Sequence, residues 1–175
     1  MANLILNGST SGSVTLSSPA VSGTTTLTLP VQTGTVMVNG PAFSAYVSSS
    51  ASVSGSTWTK IPASVEEFDT NSNYDNATNY RFTPTVAGYY QVNGQVALGG
   101  TITRLFIAIR KNGSEFKLGN DLPTGSNRAI ICSLIYMNGT TDYLELYVFA
   151  TGTTLTFTGT VGADSVFSAS MVRSA

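Results

Sequence analysis

Histidine is absent from this chain of 175 residues, and charged residues are scarce. Lys and Arg total 8 and Asp and Glu total 9, which is 10% of the sequence, where soluble domains average about 25%. The lack of histidine removes the commonest general base and metal ligand, and with it the Ser-His-Asp and Cys-His triads and zinc sites built on histidine. The few cations are scattered along the chain, which argues against nucleic acid as a partner.

Cysteine and long apolar runs are also nearly absent. The single cysteine, Cys132, cannot form an intramolecular disulfide, and its apolar surroundings from Ala129 to Ile135 predict a buried core thiol. The longest mostly apolar run, residues 129–137, is about half as long as a membrane helix requires. The start MANLILNGS has neither the basic segment nor the apolar stretch of a signal peptide. We therefore expect a soluble protein made in a cytoplasm, with no membrane partner.

Carboxylates are the remaining catalytic possibility, because glycosidases use a convergent pair of them. Glu66 and Glu67 are adjacent, but neighbours on a strand point to opposite faces and cannot converge on one bond. The other acidic residues are scattered. We therefore predict no catalytic residues and no enzyme, and no cofactor.

One acidic loop resembles a calcium-binding loop in spacing. The oxygen-bearing residues with that spacing are Asp69, Asn71, Asn73 and Asp75. Tyr74 stands where such a loop needs Gly for its sharp turn, and Tyr80 stands where it needs a bidentate Glu. We interpret the segment as a surface loop rich in Asx turns, and we assign no metal ligand. An oxygen-ligand site completed by backbone carbonyls stays open as the alternative.

The first forty residues differ in composition from the rest. From Met1 to Thr59 there is no Asp, Glu, Lys or Arg, and residues 7–40 are dominated by Ser, Thr and Gly around spaced apolar residues. In three places aliphatic residues alternate with Thr or Met. This alternation predicts three short strands that cannot close a core alone. We predict that residues 1–40 form an extended attachment arm, with a disordered low-complexity linker as the alternative. The predicted contact residues of the arm are Leu4, Leu6, Val14, Leu16, Leu27, Leu29, Val36 and Val38.

The stretch Asn79–Leu98 organises the remainder of the chain. Pro84 and Gly88 separate a short strand ending at Phe82 from a long one beginning at Tyr89. In the long strand one predicted core face holds Tyr90, Val92, Gly94, Val96 and Leu98, and the other holds Tyr89, Gln91, Asn93, Gln95 and Ala97. No window has a helical period, so the fold class is all-β. The turns Lys111-Asn112-Gly113 and Asn138-Gly139 are both predicted to close hairpins.

Five short motifs resemble the globular head of complement component 1q, a relative of the tumour-necrosis-factor-like jelly rolls. The central one is Phe82-Thr83-Pro84 with Ala87-Gly88-Tyr89-Tyr90. The others, in order along the chain, are Pro41 to Ala45, Ala108 to Gly113, Asp142 to Val148, and Val166 to Ala169. The resemblance covers residues 41–175. It implies a two-sheet antiparallel jelly-roll sandwich that assembles as a homotrimer, and it implies no enzymatic activity.

The segment GSTSGSVTLSSPAVSGTTTLTLP resembles the opening stretches of bacteriophage tail-fibre and other virion-surface proteins. In those proteins a Ser/Thr/Gly-rich N-terminus attaches a small trimeric module to the particle. We therefore predict a virion protein assembled in the host cytoplasm, with residues 1–40 as the arm and residues 41–175 as a trimeric knob. A capsid decoration or cement protein contacting the major capsid protein or other virion proteins is favoured, because the chain is short and has no coiled-coil shaft.

Two other functions stay open. A tail-fibre or tail-tip protein would recognise host surface polysaccharide through loops such as Asp69–Asn79. A polysaccharide-degrading enzyme would need two carboxylates facing each other across a groove. Tyrosines suit either a sugar-binding face or a subunit interface, and the interface is favoured because Tyr89 and Tyr147 alternate with predicted core residues. The predicted trimer interface is Tyr89, Tyr147 and Phe149.

Overall fold

In the computed structural model, residues 4–7, 9–16, 23, 40–159 and 164–175 are described. The chain divides into two compact units, residues 1–34 and residues 35–175. Every regular element among the described residues is a strand, and the strands are β1 Leu4–Asn7, β2 Ser13–Leu16, β3 Ala42–Tyr46, β4 Trp58–Lys60, β5 Val65–Asp69, β6 Tyr74–Asp75, β7 Arg81–Phe82, β8 Gly88–Lys111, β9 Ser114–Pro123, β10 Arg128–Met137, β11 Leu144–Phe157 and β12 Val166–Ser174.

The first unit contains an antiparallel hairpin. Strands β1 and β2 pair from Leu4 opposite Leu16 to Asn7 opposite Ser13. Of the three arm strands predicted from the sequence, the one around Val14 and Leu16 therefore forms. The predicted strands around Leu27 to Leu29 and Val36 to Val38 lie outside the described residues.

The second unit is a sandwich of two antiparallel sheets, and one long strand belongs to both. The first sheet has the order β5-β3-β12-β8-β10, and the second sheet joins β9 to β8, β8 to β11, and β11 to β4 and β7. Residues 88–97 of β8 pair with β10, and residues 98–111 pair with β11. The apolar pattern of the sequence predicts two strands here, Tyr89 to Leu98 and Ile102 to Arg110, where the structure has a single strand of 24 residues. Between these two segments Gly100 has a φ of +100°, a backbone conformation that glycine adopts at little cost.

The core lies between the two sheets. Tyr90, Val92, Val96 and Leu98 are fully buried, which confirms the predicted core face of β8, whereas Ala97 of the predicted outer face is buried as well. Gly94 belongs to this face because a Cβ there would lie 2.5 Å from Cδ1 of Leu146. The aromatic centre of the core is a stack in which the ring of Phe43 lies 4.5 Å from that of Tyr74 and 4.6 Å from that of Phe82.

The two predicted hairpin turns have different outcomes. Asn112 and Gly113, with φ of +55° and +80°, close the two-residue hairpin between β8 and β9 as predicted. Asn138-Gly139 is a turn, but it joins β10 of the first sheet to β11 of the second and closes no hairpin. Oδ1 of Asn138 accepts hydrogen bonds from the backbone N–H groups of Thr140, Thr141 and Asp142, each at 3.0 Å. This local bonding fixes a tight turn, while the sandwich decides that the chain changes sheets there.

Candidate interaction surfaces

The outward side of strand β10 in the first sheet is apolar. Strand β10 points Ala129, Ile131 and Ile135 into the core, and on its other side Ile130 and Leu134 are 57% and 55% exposed. Tyr136 is also exposed, and its ring lies 5.5 Å from that of Tyr89 on β8. We call this surface the first-sheet face; its residues are Tyr89, Ile130, Cys132, Leu134 and Tyr136. A strand that is apolar on both sides is typical of one that is covered on both sides.

Cys132 corrects a prediction made from the sequence. Its apolar neighbourhood predicted a buried thiol, but Cys132 is exposed on the first-sheet face, where it pairs in register with Asn93. The physical reason is the period of two in a strand, which places Ile131 inside and Cys132 outside. The apolar run reflects two apolar faces, of which one forms the core.

A shallow depression interrupts the first-sheet face. Its volume is about 400 Å³, and its floor is formed by Asn93, Gly94 and Gln95 of β8. Ile130 of β10 forms one wall, and Val166 and Ser168 of β12 form the other. None of these lining side chains is charged, which suits an inserted side chain of another subunit better than a charged ligand.

The three predicted trimer-interface residues lie on opposite outer faces of the sandwich. Tyr89 lies on the first-sheet face, whereas Tyr147 and Phe149 lie on β11 in the second sheet, half-buried and pointing away from the core residue Val148. Alternation along a strand correctly separates core side chains from outer ones, but it carries no information about which sheet a strand joins. The sequence signal for Ile130, Leu134 and Tyr136 as interface residues is that both faces of β10 are apolar.

The outward face of the second sheet carries aromatic rings and arginines. Trp58, Phe106 and Phe149 contact one another, with ring centroids 5.6 to 6.4 Å apart. The guanidinium of Arg110 lies 4.0 Å from the ring centroid of Tyr147, and that of Arg104 lies 4.1 Å from the ring centroid of Phe106. Strands β4, β8 and β11 bring these residues together from three separate parts of the sequence.

The acidic loop is internally bonded. Oδ1 and Oδ2 of Asp69 accept hydrogen bonds from the backbone N–H groups of Asn71 and Tyr74 at 3.2 and 2.7 Å. Asp75 accepts from the N–H groups of Ala77 and Thr78. The hydrogen bond from Thr78, followed by that from the Asn79 side chain, lowers the pKa of Asp75 to about 2. This geometry fits the interpretation as Asx turns, and the described residues contain no cluster of acidic or cysteine side chains that could hold a metal ion.

Glu66 and Glu67 are the two adjacent carboxylates considered for catalysis, and Glu67 takes part in a hydrogen bond between strands. Its Oε2 accepts a hydrogen bond of 2.7 Å from the Ser44 hydroxyl, between β5 and β3. The pKa of Glu66 is raised by burial and then by the neighbouring charge of Asp69.

The part of the chain that the structure describes contains no helix capable of crossing a membrane.

The N-terminal hairpin exposes apolar side chains. Ile5 and Leu6 of β1 are both more than half exposed. Within the described residues, neither β1 nor β2 pairs with any further strand, so each has one edge of unpaired backbone groups. An isolated two-stranded hairpin is marginally stable in water, and such edges are templates for pairing with another chain.

Comparison with known proteins gives the fold. No protein-family model and no curated protein sequence matches the chain. Among solved structures, the globular domain of zebrafish complement 1qA is similar with a TM-score of 0.57 and 15% identity, covering 77% of this chain and 99% of that one. Murine APRIL is similar with a TM-score of 0.57 and 10% identity, covering 77% and 100%. Vertex protein P5 of PRD1 is similar with a TM-score of 0.53 and 15% identity, covering 76% and 97%.

The chain therefore has the jelly-roll fold shared by complement 1q and the tumour-necrosis-factor-like proteins, as the five sequence motifs predicted. At this level of identity the similarity establishes the fold alone. None of the three descriptions names an enzyme, and one of them names a vertex protein.

Proposed function

We propose that this protein is a bacteriophage virion protein, a homotrimeric knob that its N-terminal arm fastens to the capsid as a decoration or cement protein. The observation that carries the proposal is the N-terminal hairpin, which belongs to a unit separate from the sandwich and exposes Ile5 and Leu6 beside unpaired strand edges. The similarity of the sandwich to a phage vertex protein supports a place on a virion. The resemblance of the arm sequence to phage surface proteins points the same way.

The trimer would form through the first-sheet face. Monomeric proteins seldom expose a large contiguous apolar patch, and Ile130, Leu134 and Tyr136 share one side of β10. Covering this face with a neighbouring subunit would remove apolar surface from water. Each Å² removed would stabilise the assembly by about 25 cal/mol. The resemblance to the complement and tumour-necrosis-factor families implies three copies. Burial of the face also accounts for the lack of charge along β10, since no Asp, Glu, Lys or Arg lies between Arg128 and Met137.

The arm would attach by strand addition. An edge of β1 or β2 pairs with an exposed strand of a capsid subunit, so that backbone hydrogen bonds hold it and Ile5 or Leu6 occupies a shallow pocket. A single short strand binds weakly, but three arms on one trimer raise the overall avidity through effective concentration. A protein attached to a particle also depends less on its own charge for solubility.

The test is a photo-crosslinking map on intact particles. A photoreactive amino acid is placed at Leu6 in the arm, and at Ser49, an exposed loop residue of the sandwich, as the control. Crosslinks from Leu6 to the major capsid protein, with few from Ser49, are the expected result. Crosslinks from Leu6 only to tail or baseplate proteins would replace the decoration function with that of a tail receptor-binding protein. The absence of arm-specific crosslinks would refute attachment through the arm.

A further inference from the structure

The aromatic rings on the second sheet lie on the side of the sandwich opposite the proposed trimer contact. Trp58 of β4 pairs with Phe149 of β11, which pairs with Phe106 of β8, so one row across three strands is aromatic. Tyr147 precedes Phe149 by two residues on β11 and lies on the same outward side. All four side chains are half-buried. We call these four residues, with Arg104 and Arg110, the aromatic platform.

Two guanidinium groups approach the platform from either end. Arg104 lies 4.1 Å from the ring centroid of Phe106, and Arg110 lies 4.0 Å from that of Tyr147 and 5.7 Å from that of Trp58. Stacking on aromatic rings orients a guanidinium without using its N–H donors. Stacking therefore leaves the N–H donors to other acceptors, which for Arg104 is at present Asp121.

Arg110 is the more informative of the two arginines. Its Nε atom is buried and has no hydrogen-bond partner among the described residues. In register it lies between Glu145 and Glu115, yet it forms an ion pair with neither of them within the described part of the chain. Glu145 is instead bound to Lys60 at 2.5 Å. A buried guanidinium donor without an acceptor is unfavourable, and no acceptor among the described residues competes with a ligand for the rest of this guanidinium.

Arg104 could release its present partner at little cost. It forms a bidentate contact with Asp121 at 3.1 and 2.9 Å, but both side chains are about half exposed. Exposed ion pairs of this kind contribute little to stability, because water already solvates both charges. A ligand anion can therefore compete for this guanidinium.

We propose that the aromatic platform binds an acidic saccharide, a sugar ring bearing a carboxylate. The aromatic rings present apolar faces to the C–H side of the sugar, and Arg110 binds the carboxylate with the planar geometry that guanidinium and carboxylate share. Trp58 and Phe106 contact the ring, and Arg104 binds a second carboxylate along the chain of sugars. The site lies on the sandwich and requires neither the arm nor attachment to a capsid.

The chain contains one tryptophan, and it is Trp58. Its intrinsic fluorescence therefore reports events at the platform itself. We would titrate the full-length protein with tetragalacturonic and tetraglucuronic acid and follow Trp58 emission, using the fully methyl-esterified tetramers as probes of the same shape without charge. The expected result is a saturable change with the acids, weakened by salt, and at least about tenfold weaker binding of the esters, since a charge-assisted hydrogen bond is lost.

Three variants separate recognition from a structural role. Arg110→Gln should weaken binding of the acids at least about tenfold, because it removes the charged donor. Glu115→Gln should strengthen it severalfold, because it removes a carboxylate next to Arg110 in register. Arg173→Gln, which removes one exposed positive charge from the first sheet, is the matched control and should bind like the unmodified protein.

Several results would overturn the proposal. Equal binding of acids and esters would show that the guanidinium groups do not recognise charge. Binding that calorimetry detects but that leaves Trp58 emission unchanged, or binding that survives Arg110→Gln, would place the saccharide elsewhere. No binding of either acid would leave the platform as a structural cover of the second sheet. None of these outcomes bears on the crosslinking of the arm.

Discussion

Replacing Leu134 by glutamate should dissociate the trimer and leave the single chain folded. Leu134 lies on the first-sheet face and is 55% exposed in the chain by itself. Its neighbour Ile135 fills the core, so the substitution changes the outer face without disturbing the packing inside. Separation of association from folding is what makes this position informative.

The magnitude follows from the exposed half of the side chain. Burying a whole leucine side chain contributes about 1.5 to 3 kcal/mol, so covering the half that is still exposed contributes about 1 kcal/mol per copy. A carboxylate enclosed in an apolar contact without a partner costs several kcal/mol more. Together these give a loss of at least about 4 kcal/mol per copy, which weakens association about a thousandfold or more.

The assay is analytical ultracentrifugation over a range of concentrations, combined with thermal unfolding followed by circular dichroism. The unmodified protein should sediment as a trimer, and Leu134→Glu should sediment as a monomer that still unfolds cooperatively. Val86→Glu is the matched control, because it adds the same charge at an exposed apolar residue in the loop before β8. A monomeric unmodified protein, or a trimeric Leu134→Glu variant, would refute the assignment of the interface.

Three further predictions test the same structure. Cys132 should react with a maleimide about tenfold or more slowly in the trimer than in Leu134→Glu, because access governs thiol reactivity; equal rates would place it outside the interface. Gly94→Ala should destabilise the fold by about 1 to 3 kcal/mol, since its Cβ would lie 2.5 Å from Leu146, whereas Gly55→Ala, whose nearest contact is 3.7 Å, should not; denaturant unfolding compares the two. Asp75→Ala should cost about 1 kcal/mol at neutral pH through lost hydrogen bonds. Because the pKa of Asp75 is lowered from 3.8 to about 2 in the folded state, this contribution is present above about pH 4 and disappears as the pH falls to 2; a pH-independent difference would contradict it.

Local sequence chemistry was sufficient for part of the fold. The alternation from Tyr89 to Leu98 separated core from surface, because a strand turns successive side chains to opposite faces whatever lies beyond them. Asn112-Gly113 closed its hairpin because those residues accept positive φ. The motif resemblance supplied the jelly roll, which periodicity alone did not distinguish from other all-β architectures.

The sequence by itself determined the all-β class, the inward face of β8 and the lack of histidine chemistry, since each depends on residues close together in the chain or on composition. Only the tertiary structure decided that β8 belongs to both sheets, that Cys132 faces outward, and that Tyr89 lies on the opposite side of the sandwich from Tyr147 and Phe149. It also brought Trp58 to Phe106 and Phe149, 48 and 91 positions further along the numbering. The physical reason is that alternation along a strand determines which side chains share a face, whereas the pairing of distant strands determines what that face contacts.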